Sequence, residues 1–421
     1  MPGSDRPSPP VSGDAGAGAP HGRIVEHYSS MTGAPVPPRP ADVDVLGPQR
    51  RVPPRRRRCV PALGVVLGML AVAAFVASRI DLPYYALSPG SAEDVGPLVH
   101  LPPGKGSPLH GRILLTDVLL TQVTALSYLA DRLSADTDLE PASTVLGSGS
   151  PAELAAQGYL QMAASKAAAV AAALRRLGYQ VPERDAGVVI DAIEPGTPAS
   201  RTLRVGQVVS AVGAVPTPDA CAFVAALHAL APGDTVELTV ERTRIGADGA
   251  VTQGPTVHER VRLARAPRSA APSGCPGVAG PNRALLGVAA ETRQVFSYPF
   301  RVSVSTPDVG GPSAGLAMSL TVLDKLSGGR LTGGATVAAT GTISPEGAVG
   351  DVAGVAQKTV AVERAGATVF LVPPPEYKVA IAHASPSLHV YAVATLDQAL
   401  GVLARLGGHV PPPPAVPAPG A

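Results

Sequence analysis

The stretch VSTPDVGGPSAGLAMSL, residues 304–320, places two glycines, a proline and a serine in front of a run with helical spacing. Gly310 and Gly311 permit a tight turn, and Pro312 has the fixed φ that suits a first helical turn. Leu316, Leu320 and Leu323 then recur at helical period. Ser313 is thereby placed at a helix N-terminus, where unpaired N–H groups and the helix dipole favour negative charge. Such a place can hold the oxyanion of an acyl-transfer intermediate. It is also where an ordinary capping serine stands.

A nucleophilic serine needs a base, and the sequence offers two kinds. GPSAG satisfies G-x-S-x-G, and Asp351 followed by His383 or His389 gives the order Ser–Asp–His of an esterase. Against this, Pro312 is awkward in a strained elbow, VSVST makes a poor buried parallel strand, and few residues remain to complete that sheet. The other base is a lysine. In GDVAGVAQKTVAVERAG, residues 350–366, Val352, Val355, Val362 and Ala365 form a helical apolar stripe with Lys358 in its middle. A lysine there either snorkels to water or is buried with a lowered pKa, and a neutral amine is a usable general base. Ser165 and Lys166, near Met162 on an alanine-rich helix expected over 152–177, are adjacent and point about 100° apart. They are read as helix surface rather than as a dyad.

Upstream, GVVIDAIEPGTPASRTLRVGQVVSAVGAVPT, residues 187–217, is followed by AFVAALHAL and PGDTVELTVER. The pattern is strand, turn, short helix, strand, hairpin, helix, turn, strand. It resembles a PDZ domain of the bacterial type, carried by EPGTPAS, LRVGQVVSAVGA, the helix around Phe223–Leu230 and PGDTVELTVER. Gln207 stands where this family usually has aspartate, and GYQVPERDAG lacks the familiar carboxylate-binding loop. The resemblance implies capture of an extended peptide by strand addition; a structural PDZ domain with a blocked groove is the other reading.

The two C-terminal stretches together resemble the proteolytic domain of the Lon family, which uses a Ser–Lys dyad. The marks are GGPSAGLAMSL, VAATGTISPEGAVGDVAGV and KTVAVERAGATVFLVP, with lysine eight residues before the RAG glycine. The resemblance implies Ser313 as nucleophile and Lys358, 45 residues later, as base. It also implies that Thr340 hydrogen-bonds the amine and that Gly311, Pro312 and Ala314 shape the turn. Where some members carry an acidic residue three positions before the serine, this chain has Gly310; Asp308 lies five before. No GxxxxGK[ST] motif is present, so no ATP is implied, nor any metal, other cofactor or nucleic acid.

The 421-residue chain has room for several domains, and 45% hydrophobic residues can fill their cores. Arg50, Arg51 and Arg55 to Arg58 precede VPALGVVLGMLAVAAFVA, an 18-residue uncharged run over 60–77. This reads as a membrane anchor with the basic side cytoplasmic and everything beyond Arg79 outside. A cleaved signal peptide would begin nearer the N-terminus, and a nucleic-acid patch is the weaker use of the arginines. Outside the cytoplasm Cys221 and Cys275 can pair, though no spacing rule requires it.

The expected class is α+β, laid out in order. Residues 1–58 form a disordered tail, 59–79 a transmembrane helix, and 80–181 a section packing with the protease domain. The PDZ domain takes 182–268, a linker 269–284, the Lon-type domain 285–407 and a disordered end 408–421. The whole resembles the ATP-independent, membrane-anchored Lon-like proteases of Gram-positive bacteria, with protein substrates and the lipid bilayer as partners. Self-association into a homo-oligomer is left open. A non-catalytic PDZ adaptor is the alternative from another class.

Overall fold

The computed structural model describes residues 59–246, 248–265, 275, 284–306 and 308–414. The expected tail 1–58, most of the linker 269–284 and the last residues of 408–421 lie outside the described residues. Helix α1 covers Cys59–Ala77, with side chains described from Leu63. Among the described residues no helix is long and apolar enough to cross a membrane. The described residues from Leu63 onward belong to one compact unit.

Strands β1 (Asp81–Asp94), β2 (Arg112–Thr124) and β3 (Asp138–Pro141) precede the long helix α2 (Pro151–Arg176). A capping box starts α2: Ser150 Oγ accepts from Glu153 N–H, and Glu153 accepts from Ser150 N–H at 2.8 Å. The PDZ segment follows as β4 (Glu183–Ile193), β5 (Val208–Val212), helix α3 (Ala220–His228), β6 (Thr235–Ile245), β7 (Val251–Arg262) and β8 (Val288–Phe296). Helix α4 (Gly315–Leu326), β9 (Thr336–Ala339), α5 (Val355–Arg364), β10 (Val369–Val372), α6 (Tyr377–His383), β11 (His389–Ala392) and α7 (Leu396–Arg405) complete the order.

The larger sheet runs β11–β10–β9–β2–β1–β3. β9 pairs parallel with both β10 and β2, whereas β1 is antiparallel to β2 and β3. Strands from before and after the PDZ segment therefore build one sheet. Its central strands are covered on both faces, which is why VFLV and ILL read as continuous apolar runs. Their alternation sorts them: Ile113, Leu115, Val337, Ala339, Val369 and Leu371 face α2, α4 and α7. Leu114, Ala338, Phe370 and Val372 face α5 and α6 on the other side.

The second sheet runs β8–β4–β5–β6–β7 and closes over α3, with Val188, Ile190, Val209, Leu238 and Val240 packed on Phe223 and Leu227. Strand β8, from beyond the PDZ-like sequence pattern, pairs antiparallel with β4 and leaves its other edge beside α3. Ala220 N–H at the start of α3 donates to Thr292 Oγ1 of β8 at 3.0 Å. Gln207, standing for the usual aspartate, is buried and accepts from Arg204 N–H at 2.9 Å, so an amide oxygen does the work of the carboxylate in that turn.

Cys221 and Cys275 form a disulfide, Cα–Cα 5.4 Å, across a sequence separation of 54 residues. It ties the first turn of α3 to the segment leading toward β8. Replacing both cysteines with serine lowers PDZ-domain stability by about 2–4 kcal/mol, the usual worth of such a loop closure. Urea unfolding followed by PDZ-specific probes reads the shift, and reductant added to the wild-type chain reproduces it. An unchanged midpoint under reductant would show that the bridge does not constrain the domain.

Candidate functional site

Ser313 lies in the turn that enters α4, two residues before its first helical residue. The cap position falls on Ala314 rather than on Ser313, so the serine is not the capping residue of α4. The turn is stitched to the structure from two directions. On one side, Gly341 N–H donates to Ser313 O at 2.9 Å, Thr340 Oγ1 donates to the same oxygen at 3.3 Å, and Leu316 N–H donates to Gly341 O at 3.1 Å. On the other, α2 accepts Gly311 N–H on Gly158 O at 2.8 Å, while Ser165 Oγ donates to Pro312 O at 2.9 Å. The amides of Ser313 and Ala314 have no partner among the described residues, and they are the donors available to an oxyanion.

The sequence reading of Ser165 as helix surface is corrected by these contacts. Ser165 is buried and bonds the serine turn, whereas Lys166 is half-buried, its amine pulled below the usual lysine range by burial against the opposing charge of Asp248. Nothing in an alanine-rich helix distinguishes a serine that meets a loop 147 residues away, so periodicity alone could not find it. Gly315 has a similar role by subtraction. A Cβ there would stand 2.8 Å from Ile343 Cγ2, 2.9 Å from Ile343 N and 3.0 Å from Ser165 Oγ, so only glycine lets α4 start this close to its neighbours.

Lys358, in the second turn of α5, is 2% exposed and does not snorkel to solvent. Burial pulls its pKa down to about 8, against the opposing charges of Asp117 and Glu376. Its Nζ donates to Thr340 Oγ1 at 3.3 Å. Thr340 is fully buried, and its hydroxyl thus receives one proton donor and passes its own to the Ser313 carbonyl. Ser313 and Lys358 line one cavity of about 490 Å³ with Gly90, Ser91, Asp117, Met162, Asp308 and Gly310. In the resting structure Lys358 hydrogen-bonds Thr340 rather than the Ser313 hydroxyl.

The histidines of the esterase reading are elsewhere. His383 is exposed at the end of α6, with Nδ1 against Val379 O at 2.9 Å, and His389 is exposed on the edge strand β11. Neither they nor the exposed Asp351 line the serine cavity. Asp308 does line it, with φ of 59° that few non-glycine residues adopt. Asp117 and Ser91 are the site residues that sequence reasoning missed, because they come from strands more than 190 positions before the serine and carry no motif.

Residues 302–403 match the family model of the Lon protease (S16) C-terminal proteolytic domain, and residues 176–252 match that of the PDZ domain. No curated protein matches the chain. Among solved structures it is similar to the PDZ domain of the SdrC-like protein from Listeria monocytogenes, at 14% identity over 25% of this chain and 87% of that one, with a TM-score of 0.19. Since the first of these matches spans both the serine turn and the lysine helix, the chain joins a PDZ domain to the proteolytic domain of the Lon-type (S16) serine proteases.

Proposed function

We propose that the chain is an ATP-independent, membrane-anchored serine endopeptidase in which Ser313 is the nucleophile and Lys358 the general base. One observation carries this reading: a lysine that burial brings toward neutrality shares a cavity with Ser313 and is joined to it through Thr340. In the scheme, neutral Lys358 swings from Thr340 to take the Ser313 proton as Oγ attacks the peptide carbonyl. The amides of Ser313 and Ala314 receive the oxyanion. The ammonium then returns its proton to the leaving amine, and a water activated by the same amine hydrolyses the acyl-enzyme.

The PDZ domain recognises extended protein segments at the free edge of β8 beside α3. A role in gating is supported by a cavity of about 610 Å³ whose walls include Thr292 and Gln294 of β8, Ala164 of α2 and Pro312 of the serine turn. Two observations support an extracytoplasmic, anchored chain. The described part of α1 exposes Leu63, Val66, Met69, Leu70 and Phe75 on all its sides, a pattern that suits lipid. The disulfide suits an oxidising compartment.

Ser313→Ala and Lys358→Ala each reduce ATP-free cleavage of an unfolded protein by about 100-fold or more, with circular dichroism unchanged. Equal activity in all three chains would remove the dyad, and equal inactivity would favour the PDZ adaptor. The kcat/KM of the wild type rises with pH through about 8, because only the neutral amine accepts the proton; a limb near 6.5 would instead implicate a histidine.

The same burial predicts a stability effect. The lysine's folded pKa is about 8 against 10.5 in the unfolded chain. The native state is therefore penalised fully below pH 8, and the penalty fades as pH rises toward 10.5. Lys358→Met removes it and stabilises the fold by about 3 kcal/mol at pH 7, with the advantage shrinking by pH 10. Denaturation midpoints at the two pH values read this directly, and identical midpoints at pH 7 would show that the amine carries no burial cost.

A further inference from the structure

The proposed proton transfer creates a problem that the dyad does not solve by itself. When Lys358 accepts the serine proton it becomes an ammonium with almost no access to water, and an uncompensated buried charge is costly. Something must meet that charge from a fixed position.

Opposite α5, strand β1 breaks register against β2 between Pro89 and Ala92. The irregularity frees the backbone of Ser91 from the ladder and turns it onto Asp117 of β2. Ser91 N–H donates to Asp117 Oδ1 at 2.6 Å, and Ser91 Oγ donates to Oδ2 at 2.7 Å. Both are short, charge-assisted bonds, one to each oxygen. The space for this clasp comes from Gly90, where any added Cβ would collide with Asp117 Oδ1. Gly90, Ser91 and Asp117 all line the cavity that holds Ser313 and Lys358.

The other charged groups around the lysine are fewer and differently engaged. Glu376, from the turn before α6, also acts on Lys358; its Oε1 accepts from Val352 N–H at 3.2 Å, and its Oε2 has no partner among the described residues. Asp138 of β3 is taken up by Gln357 at 2.8 Å, and Asp308 lies on the serine side of the cavity. Asp117 is the carboxylate held rigidly in the cavity itself.

We propose that Asp117, clamped by Gly90 and Ser91, is a positioning residue that supplies the fixed counter-charge for the Lys358 ammonium formed during acyl transfer. The inference rests on the reading of Lys358 as the base. Asp117 makes no bond to substrate and undergoes no proton transfer. It acts through the lysine, as a buried aspartate does behind the histidine of a serine triad. The clamp matters because a carboxylate free to rotate would follow water rather than the amine.

Asp117→Asn in the full chain keeps the shape, and an amide can still pair with Ser91. Losing the negative charge makes the ammonium less favourable. The acid limb of kcat/KM therefore moves to lower pH, while kcat on the plateau falls about tenfold, the equivalent of one pKa unit, with little change in KM. Ser91→Ala leaves the charge but loosens it, and gives a smaller fall in kcat. A second readout needs no turnover: in a Ser313→Ala background, the pH dependence of Lys358 acetylation by acetic anhydride, followed by peptide mass spectrometry, shifts to lower pH when Asp117→Asn is added.

Loss of kcat with both pH profiles unmoved would make Asp117 a merely structural residue and overturn the proposal, as would an unaltered kcat. Should Lys358→Ala retain full activity, the base assignment itself fails, whatever Asp117 does. The labelling profile separates the two failures, since it reports the Asp117–Lys358 interaction without assuming a role for either.

Discussion

The carbonyl of Ser313 is the point on which the site hangs. It accepts from the Gly341 amide and the Thr340 hydroxyl, so the serine turn is fastened to the end of β9. β9 is fixed in turn by parallel registers on both flanks, Val337 opposite Ile113 and opposite Val369. A slip of one residue would carry the Thr340 side chain to the opposite face of the sheet. The amine of Lys358 and the serine turn would then lose their shared partner together. Precision at Ser313 is thus a property of the sheet register, with α2 pressing the turn into place through Gly158 and Ser165.

The site works against the stability of the fold around it. A methionine or leucine at 358 would suit the interior between α5 and the sheet better than an amine does. The burial that costs stability also lowers the pKa of the amine toward neutrality, which the role of base proposed for Lys358 requires. The opposing anions, Asp117 and Glu376, limit that effect. Hydrophobic surroundings and counter-charge pull in opposite directions, and the balance sets the pH at which the amine is available.

Much of this was legible in the sequence where chemistry is local. The turn–helix signal around Pro312 marked Ser313 as either a cap or a reactive serine, and a lysine inside an apolar stripe had either to snorkel or to be buried; the structure shows it buried. The PDZ segment could be read because its turns carry glycine and proline at fixed offsets, as in EPGTPAS and PGDT. What could not be read depends on contacts between distant segments. Ser165 is one serine on an alanine-rich helix until the serine turn folds against it. The Asp117 clamp arises from a β-bulge, which no residue type marks reliably. Strand β8 joins the PDZ sheet from beyond the recognisable pattern because its pairing is set by β4 and α3 rather than by its own composition. The disulfide belongs to the same class, since a sequence separation of 54 hides its geometry.

The two-part construction of the larger sheet has a consequence for how the chain is made. β1 and β2 emerge first, yet the parallel neighbour of β2 is β9, which lies beyond the whole PDZ segment. The PDZ core, by contrast, is contiguous in sequence apart from β8 and the Ala284 and Leu286 side chains just before it, and most of it can form from local contacts. A strand carrying Ile113, Leu114 and Leu115, all destined for the interior, therefore waits with one edge open while the inserted domain is synthesised. Long-range parallel pairing is slow to form, so the protease half assembles last. The serine turn and the lysine helix, both downstream of the insertion, meet only when that sheet closes. Until then the nascent chain lacks the cavity that brings Ser313 and Lys358 together, so the activity proposed for them waits on the completed sheet.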